Sequence, residues 1–327
     1  MSGIQNTAAP FVPDPMLYGQ ELPRCVTVNP LGQAVEIATN AICVENAAVS
    51  LWSQYRRIFD SPAITLRIAV SDRDTECPHF PPTPRGHGHL VSIVGGPDNF
   101  AVADLTRGFG FAWLARDLAG HPSSLIPGFL EPLVYLMVSA RHFAQVHGAC
   151  VSLRGHGVVL CGESGAGKTC LAYACARAGW QLVSGDAIQI VRSSHGGEIV
   201  GRPYSLRFRE SARRLFPELG NLPVSHSPSG KLDVEARPSD LAVDSALEAQ
   251  ASHIVFLNRV PGASESSFET VPFEQAFAYL AQVVFYGDES LRAAQKKSLA
   301  ELLARPVLRL TYTDLAGAER ALRSLVE

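Results

Sequence analysis

A glycine-rich octapeptide is the part of the sequence whose residue types and spacing point most directly to chemistry. Residues 162–169 read GESGAGKT and match the pattern G-x-x-x-x-G-K-[ST] at every position. Such a loop surrounds a phosphate with backbone N–H groups, and its glycines permit the conformations that this requires. We therefore predict that it binds the phosphates of a nucleoside triphosphate, with ATP and Mg²⁺ as the expected ligands. The predicted binding residues are Gly162, Glu163, Ser164, Gly165, Ala166, Gly167, Lys168 and Thr169.

Two side chains of this loop have specific predicted roles. Lys168 supplies a positive charge that reaches the β- and γ-phosphates, and Thr169 offers its hydroxyl to Mg²⁺. A chance glycine-rich turn is the alternative, but the context argues against it. The apolar stretch VVLC leads into the loop, and a helix predicted from about Lys168 to Ala178 leads out, with its positive end directed at the anion. The motif alone does not separate a kinase from a GTPase or a transport ATPase.

Polar residues elsewhere are weaker candidates. Asp186 follows a predicted strand, and ligands in α/β sheets bind where strands end, although aspartate is also common in simple turns. His147 precedes an apolar strand, where a lone histidine is usually structural. Arg207 is our candidate for an active-site contact, because arginine forks suit phosphate, although a solvated helix face explains most charge runs. Arg207 belongs to a cluster with Arg202, Arg209, Arg213 and Arg214.

Strands and helices alternate in the second half of the chain, which predicts an α/β sheet covered by helices on both faces. A helix at Pro127–Val146 is predicted to lead into this half, and residues 193–240 carry few periodic signals, with Gly230, Lys231 and Asp233 in a polar loop. The predicted strands are Ala149–Leu153, Gly157–Cys161, Trp180–Val183, Ala187–Val191, His253–Leu257 and Val307–Tyr312, and the further helices are Phe273–Tyr286 and Leu315–Val326.

The first half has no chemical signature and is predicted to form a smaller N-terminal α+β domain. We predict a flexible tail at residues 1–20, the α+β domain at residues 21–125 and the P-loop kinase-like domain at residues 126–327. The predicted elements are strands at Cys25–Asn29, Val35–Ala38 and Ile64–Val70, a helix at Ala47–Phe59, a loop without regular structure at Pro78–Gly88, and a hairpin of Leu90–Val94 with Phe100–Ala103.

The stretch HGACVSLRGHGVVLCGESGAGKTCLAYACARAGWQLVSGDAIQIVR, residues 147–192, resembles the catalytic domain of HPr kinase/phosphorylase and the wider group of HPr-kinase-like P-loop kinases. Four features carry the likeness: His-Gly before a β-hairpin, the phosphate loop, a helix ending in Ala-Gly, and a strand that delivers Asp186. The likeness is thinner over residues 125–327, whose ending PVLRLTYTDLAGAERALRSLV looks like the last strand and helix of these proteins. The resemblance implies a P-loop NTPase-type sheet flanked by helices.

The resemblance also implies a function. In this family ATP-Mg²⁺ donates its γ-phosphoryl group to a serine hydroxyl of a protein or peptide. Carried over by position, Lys168 holds phosphate, Thr169 and Asp186 hold magnesium, and His147 lies near the γ-phosphate. The implied partners are ATP and a protein or peptide acceptor, and the resemblance implies a homo-oligomer.

The chain departs from the family at the end of this strand. The family usually has two adjacent aspartates there, the first of them assigned as the base, whereas this chain has Gly185 followed by Asp186. Phosphoryl transfer depends more on positioning and charge than on deep proton abstraction, so Asp186 could still serve. Three hypotheses stay open: a kinase for a protein or peptide, a catalytically weak or inactive ATP-binding regulatory module, and a small-molecule kinase. The acceptor and the preference for ATP over GTP also stay open.

Composition narrows the function classes. A formal charge of −3 on 327 residues gives no electrostatic reason to expect nucleic acid or an anionic membrane as partner. The seven cysteines form no CxxC pair and suggest buried free thiols in a reducing compartment. The N-terminus does not resemble a secretory signal, and the apolar stretch Leu133–Ala140 is too short to span a bilayer. We therefore predict a cytoplasmic protein.

Overall fold

Two large β-sheets, one from each half of the chain, organise the computed structural model. It describes residues 19–72, 74, 81–192, 196–226, 232–262, 265–282 and 286–327. The predicted tail lies almost wholly outside the described residues, as do Gly230 and Lys231.

The N-terminal sheet is mixed. Its strands are β1 (Arg24–Val28), β2 (Val35–Thr39), β3 (Ile64–Ser71), β4 (Arg85–His87), β5 (Leu90–Val94), β6 (Phe100–Asp104) and β7 (Phe109–Ala115), in the order β1-β2-β3-β7-β6-β5-β4. The β2–β3 and β3–β7 pairs are parallel, and the other pairs are antiparallel. Alternate residues such as Ile64, Leu66 and Ile68 are fully buried, as expected where one face of a strand lies against a core.

Two predictions for this half need correction, and one strand was missed. The predicted helix at Ala47–Phe59 is α1 (Ile42–Trp52), and it ends early because the amides of Ile58 and Phe59 donate to the Gly32 carbonyl in an extended segment. The predicted loop at Pro78–Gly88 contains β4, which pairs with β5. Strand β7 was not predicted, although it lies beside β3 in the middle of the sheet.

A largely helical segment joins the two halves and is interrupted at His121, whose backbone is extended. It comprises α2 (Arg116–Gly120), α3 (Pro122–Leu125), a π-helical turn at Ile126–Leu130, and α4 (Glu131–His142). The predicted helix at Pro127–Val146 is wrong at its end, because residues from Phe143 onward form a strand that pairs with a neighbour in the second sheet.

This segment meets the length and composition of a membrane span. Residues Pro122–His142 form 21 helical residues of mean hydropathy 1.3, which is longer than the predicted apolar stretch. Of the most apolar window, 61% is buried inside the protein, where Leu133, Val134, Met137 and Val138 join the core of the N-terminal sheet. Such burial is typical of a core helix.

The bounds of the two predicted domains remain a prediction.

The second sheet carries the phosphate loop. Its strands are β8 (Phe143–His147), β9 (Ala149–Leu153), β10 (His156–Cys161), β11 (Gln181–Ser184), β12 (Ala187–Val191), β13 (Glu198–Val200), β17 (Glu248–Arg259), β18 (Ser267–Thr270) and β19 (Val307–Tyr312). They run in the order β11-β9-β10-β17-β13-β12-β8, with β19 also beside β17 and β18 beside β19. Strands β10, β17 and β19 are parallel, so their carboxyl ends meet at one edge.

Helices cover both faces of this sheet, which confirms the predicted P-loop-type α/β fold. They are α5 (Lys168–Arg177), α6 (Phe273–Leu280), α7 (Glu289–Leu302) and α8 (Leu315–Val326). In β10, Val158 and Leu160 pack into the core that includes α5 and α8, whereas Val159 and Cys161 pack into the core that includes α6 and α7. The strand is therefore apolar at every buried position, as expected when both faces are covered.

Residues 193–240 hold more structure than the sequence predicted. Strands β14 (Leu206–Arg209), β15 (Val224–His226) and β16 (Leu232–Ala236) form a small antiparallel sheet in the order β14-β16-β15. Helix α7 was also missed. The helix predicted at Phe273–Tyr286 ends at Leu280, and residues 283–285 lie outside the described residues.

Candidate functional site

The phosphate loop joins β10 to α5 in the conformation that its glycines predict. Gly162, Gly165 and Gly167 have φ angles of 147°, 90° and 92°, which side chains with a Cβ rarely adopt. Gly167 is the N-cap of α5, so the first free N–H groups of the helix point into the loop. A Cβ added to Gly165 would meet no atom within 4 Å, so its φ angle rather than lack of space is the reason for glycine there.

Lys168 is folded back onto its own loop. Its Nζ donates to the carbonyls of Gly162 at 2.7 Å and Glu163 at 3.3 Å, and the residue is only 7% exposed. Burial lowers the pKa of Lys168, and the Asp186 carboxylate is the largest influence that opposes this. The loop thus presents a desolvated ammonium, which gains from an anion that replaces its carbonyl partners.

Two tyrosines from distant elements fix the loop, and the sequence analysis missed both. The Tyr279 hydroxyl on α6 accepts a hydrogen bond from the Gly162 amide at 3.0 Å and donates to the Gly162 carbonyl. The Tyr312 hydroxyl at the end of β19 donates to the Ala166 carbonyl at 3.3 Å. The sequence offered one clue to Tyr312. It is the last residue of the predicted strand β19, which runs parallel to β10 in the same sheet.

Thr169, Asp186 and His147 come together beside the loop. The Thr169 hydroxyl donates to the Gly185 carbonyl at 3.2 Å. The Asp186 carboxylate lies 3.4 Å from Nδ1 of His147, and the Gly148 amide donates to the Asp186 carbonyl at 2.9 Å. Both the His147 and Asp186 side chains are more than half exposed, so they face the solvent beside the loop.

Gly185 is closely packed against a segment further along the chain. A Cβ at Gly185 would lie 2.6 Å from Cδ2 of Leu206, which is fully buried. The carbonyl of Ser205 would be 3.6 Å away. The space that an aspartate side chain would need is therefore filled by Leu206. This packing accounts for the glycine at position 185.

The predicted arginine contact stands apart from this group. Arg207 is exposed on β14, one residue after Leu206, and its side chain has no hydrogen bond or ion pair within the described part of the chain. Arg209 instead pairs with Asp233 at 2.8 Å. No hydrogen bond or ion pair among the described residues joins Arg207 to the loop, and its role as an active-site contact stays a prediction.

Arg202 is a partly buried arginine of the predicted cluster, with a side chain that is 23% exposed. Its backbone forms an isolated parallel bridge with Ser184, next to the site. Its Nε donates to the Tyr204 hydroxyl at 2.7 Å, and its guanidinium lies 4.1 Å from the centre of the Tyr135 ring and 3.6 Å from Glu131. Arg202 therefore joins the strand end to the N-terminal half.

Metal ligation here would depend on few protein groups. No group of three or more His, Cys, Asp or Glu side chains suited to a metal occurs among the residues that the structure describes. The hydroxyl of Thr169 and the carboxylate of Asp186 are oxygen ligands of the kind that Mg²⁺ prefers, and Mg²⁺ usually keeps waters and substrate phosphates as its other ligands. The donor set fits a magnesium ion that arrives with a nucleotide.

The predicted free thiols are confirmed for the described cysteines. Cys150, Cys161 and Cys175 are buried, and Cys25, Cys43 and Cys170 are also free. Burial raises the pKa of Cys161, at the entrance of the loop, to about 12, although Lys168 acts in the opposite direction. Burial likewise raises the pKa of Cys150 and Cys175, so these three buried thiols serve as packing groups.

Part of the chain is similar in sequence to known proteins. Residues 140–208 match the family model described as HPr Serine kinase C-terminal domain. The chain is 38% identical over 86 residues to HPr kinase/phosphorylase of Lactobacillus delbrueckii subsp. bulgaricus, covering 25% of this chain and 27% of that protein. It is 30% identical over 165 residues to HPr kinase/phosphorylase of Leptothrix cholodnii, covering 50% of this chain and 43% of that protein.

A solved structure, the HPr(Ser) kinase/phosphatase from Coxiella burnetii, matches with a TM-score of 0.30 and 14% identity over 55% of this chain and 94% of that one. The predicted resemblance is confirmed, and this chain is HPr-kinase-like over the matched region. The chain spans less than half the length of either curated relative that it matches, with 27% and 43% covered.

Proposed function

We propose that this chain is an ATP-dependent kinase that transfers the γ-phosphoryl group to a serine or threonine hydroxyl of a protein or peptide. The observation that carries the proposal is the meeting of Lys168, Thr169 and Asp186 at one edge of the sheet, within a region similar to the HPr kinase family. We further propose that the protein is cytoplasmic, as its free thiols suggest, and that it assembles as a homo-oligomer, as the resemblance implies.

In this proposal the loop holds and orients the phosphates. Its backbone N–H groups and the N-terminus of α5 surround them, while Lys168 exchanges its two carbonyl partners for phosphate oxygens. The hydroxyl of Thr169, together with Asp186, would hold Mg²⁺. When bound, ATP-Mg²⁺ supplies the transferable phosphoryl group and the cation that offsets its charge.

Asp186 and His147 would act on the acceptor side. Their side chains form an exposed pair with 3.4 Å between Asp186 Oδ1 and His147 Nδ1. With Gly185 carrying no side chain, Asp186 is the carboxylate at this strand end that can orient an acceptor hydroxyl or receive its proton. His147 would hold the Asp186 carboxylate in place and contribute a hydrogen-bond donor near the γ-phosphate.

A second function is favoured by one specific observation. Leu206 occupies the space beside Gly185, so the first of the two family aspartates could not be added without moving a buried side chain. This favours a regulatory module that binds ATP-Mg²⁺ and changes conformation without turning it over.

The two functions are separated by ADP release from ATP-Mg²⁺ by the pure protein, with and without cell lysate as a source of acceptor. The kinase predicts release that needs lysate and is lost in Lys168→Ala and Asp186→Asn. The regulatory module predicts that ATP-Mg²⁺ raises the melting temperature while ADP release stays at background in both conditions.

A further inference from the structure

The segment of residues 201–206 joins β13 to β14 and runs beside the end of β11, which leads to Asp186. We call it the linking segment. At its start, a Cβ on Gly201 would collide with the Val183 carbonyl oxygen, so only glycine permits this close approach. The Gly201 amide also donates to the Leu247 carbonyl at 2.7 Å, just before β17. The linking segment therefore begins in fixed contact with the sheet that carries the site.

The contact continues residue by residue toward Asp186. Arg202 forms an isolated parallel bridge with Ser184, and the Leu206 side chain fills the space beside Gly185. The linking segment thus touches each of the three residues that directly precede Asp186. A displacement of this segment would move the backbone from which the Asp186 side chain projects.

Hydrogen bonds tie the other side of the linking segment to the N-terminal half. The Tyr55 hydroxyl, just after α1, donates to the Gly201 carbonyl at 3.0 Å. The Tyr204 hydroxyl donates to Glu131 of α4 at 3.1 Å and shares a hydrogen bond of 2.6 Å with Tyr135 of the same helix. Because α4 packs into the core of the N-terminal sheet, these bonds connect that core with the strand end.

Arg202 is the residue in which the two sets of contacts meet. Its backbone bridges Ser184 at the site. Its Nε donates to the Tyr204 hydroxyl at 2.7 Å, and its guanidinium lies 4.1 Å from the centre of the Tyr135 ring and 3.6 Å from Glu131. The side chains of Arg202 and Glu131 are only 23% and 16% exposed, so loss of the arginine would leave a largely desolvated carboxylate without its partner.

We propose that Arg202 is a positioning residue through which the N-terminal half holds Asp186 in place. Arg202 acts on Ser184 and the backbone that follows it, rather than on the nucleotide. Its effect on turnover rests on the proposed kinase function. Its effect on the position of the strand end does not, because that position can be measured without any reaction.

Exchange of the Gly148 amide hydrogen reports the position of the strand end. Gly148 is buried, and its amide donates to the Asp186 carbonyl at 2.9 Å. Arg202→Gln keeps part of the side-chain length but removes the charge and the fork. It should speed exchange at Gly148 by roughly tenfold relative to amides of β10 in the same sample, because the strand end opens more often. Two-dimensional NMR measures both rates.

Arg323→Gln is the matched control. Arg323 is 29% exposed, pairs with the 11% exposed Glu319 at 2.7 Å and lies 5.9 Å from the centre of the Trp180 ring. Its Nη2 donates to the Ala178 carbonyl, at the end of α5 opposite to the phosphate loop. This variant breaks a similar arginine cluster away from the strand end, so exchange at Gly148 should stay at the parent rate.

Turnover gives a second readout, which tests the consequence for the reaction. Arg202→Gln should lower the rate of acceptor-dependent ADP release by about tenfold, because Asp186 is misplaced. Equilibrium binding of ATP in EDTA should stay the same, since the loop keeps its shape. Adding Glu131→Gln should cost nothing further, because both changes break the same pair. In an active parent, an unchanged rate in Arg202→Gln would overturn the positioning role.

Parent-rate exchange at Gly148 in Arg202→Gln, or equal acceleration in Arg323→Gln, would also overturn the proposal. A parent protein that releases no ADP would refute the kinase, and the exchange rates would still decide whether Arg202 holds the strand end. Should Arg202→Gln fail to fold, Tyr204→Phe decides. It removes the hydroxyl between Arg202 and Glu131 but keeps the ring. It should speed exchange at Gly148 by about threefold, and an unchanged rate would refute the positioning role.

Discussion

The phosphate loop and the strand end at Gly185–Asp186 lie side by side, yet they are shaped in different ways. The loop owes its conformation to glycines within eight consecutive residues, and their φ angles follow from their types. The strand end is shaped by Leu206, which belongs to a segment further along the chain. The backbone conformation of the loop is thus encoded locally, whereas the strand end depends on long-range packing. In the proposed function, the loop is the nucleotide side and the strand end is the acceptor side.

That packing extends to the N-terminal half of the molecule. Tyr204 donates to Glu131 at 3.1 Å and shares a hydrogen bond of 2.6 Å with Tyr135, which in turn accepts from Trp52 Nε1 at 3.0 Å. Leu206 follows two residues after Tyr204. The segment that packs against Gly185 is therefore anchored to the N-terminal half, which gives that half an influence on the acceptor side.

The largest expected effect is on the nucleotide side. Lys168→Ala should lower turnover by on the order of 10³-fold and weaken ATP binding, because a desolvated charge at the phosphates is lost. Steady-state ADP release and the thermal shift with ATP-Mg²⁺ measure the two effects. Lys297→Ala is the control, since Lys297 is an exposed lysine of α7, and it should change neither quantity. Equal losses in both variants would contradict the role of Lys168.

The next effect falls on the acceptor side. Asp186→Asn keeps the side-chain shape and removes the charge, so turnover should fall by about 10²-fold or more while ATP binding without magnesium is unchanged. ADP release and equilibrium binding in EDTA check the two halves of this statement. Unchanged turnover would show that the strand end takes no part in the reaction. The structural difference between the phosphate loop and the strand end would then have no bearing on catalysis.

Packing at Gly185 can be tested by a double-mutant cycle. Leu206→Ala should lower the free energy of unfolding by about 2–5 kcal/mol, because a fully buried side chain is removed. Gly185→Asp alone should cost about 1–3 kcal/mol, since its Cβ meets Leu206 at 2.6 Å.

The double variant should be more stable than the sum of the single effects predicts, because the smaller residue makes room for the aspartate. Denaturant unfolding of the four proteins gives the interaction free energy. Simple additivity would show that Leu206 is not what keeps position 185 small.

The smallest expected effect concerns the tyrosine that holds the loop. Tyr279→Phe removes hydrogen bonds to both the amide and the carbonyl of Gly162, so the free energy of unfolding should fall by about 1 kcal/mol. ATP binding should weaken several-fold, because the loop is less well ordered before binding. Tyr286→Phe is the matched control, since it loses one bond to the Pro84 carbonyl far from the loop and should leave ATP binding unchanged. Equal ATP affinity in both variants would argue against preorganisation by Tyr279.

The sequence alone predicted the elements whose structure is determined by short segments of the chain. The strand, loop and helix around Lys168 and the last strand and helix of the chain lie within about one residue of their predicted bounds. The elements missed or misplaced depend on partners elsewhere. The residues from Phe143 onward form β8 because they pair with β12. Strands β14, β15 and β16 form in a polar stretch because they pair with one another.

The residues of the site show the same difference between local motifs and long-range contacts. The motif named every residue of the loop, but nothing near Tyr279 in the sequence indicates that its hydroxyl reaches Gly162, 117 residues away. Likewise, the packing of Leu206 against Gly185 follows from tertiary structure alone. The roles given to His147, Asp186 and Arg207 stay predictions, and of these three the structure brings His147 and Asp186 together.

Transfer of label from γ-³²P-ATP is the most direct test of the central proposal. The protein, its Lys168→Ala variant and its Asp186→Asn variant are each incubated with Mg²⁺ and cell lysate, and labelled macromolecules are separated and hydrolysed. The account predicts an acid-stable, base-labile phosphoserine or phosphothreonine product that forms with the parent protein and is lost in both variants. Label that remains entirely in ATP or free phosphate, while ATP-Mg²⁺ still raises the melting temperature, would contradict the kinase and leave a nucleotide-binding module.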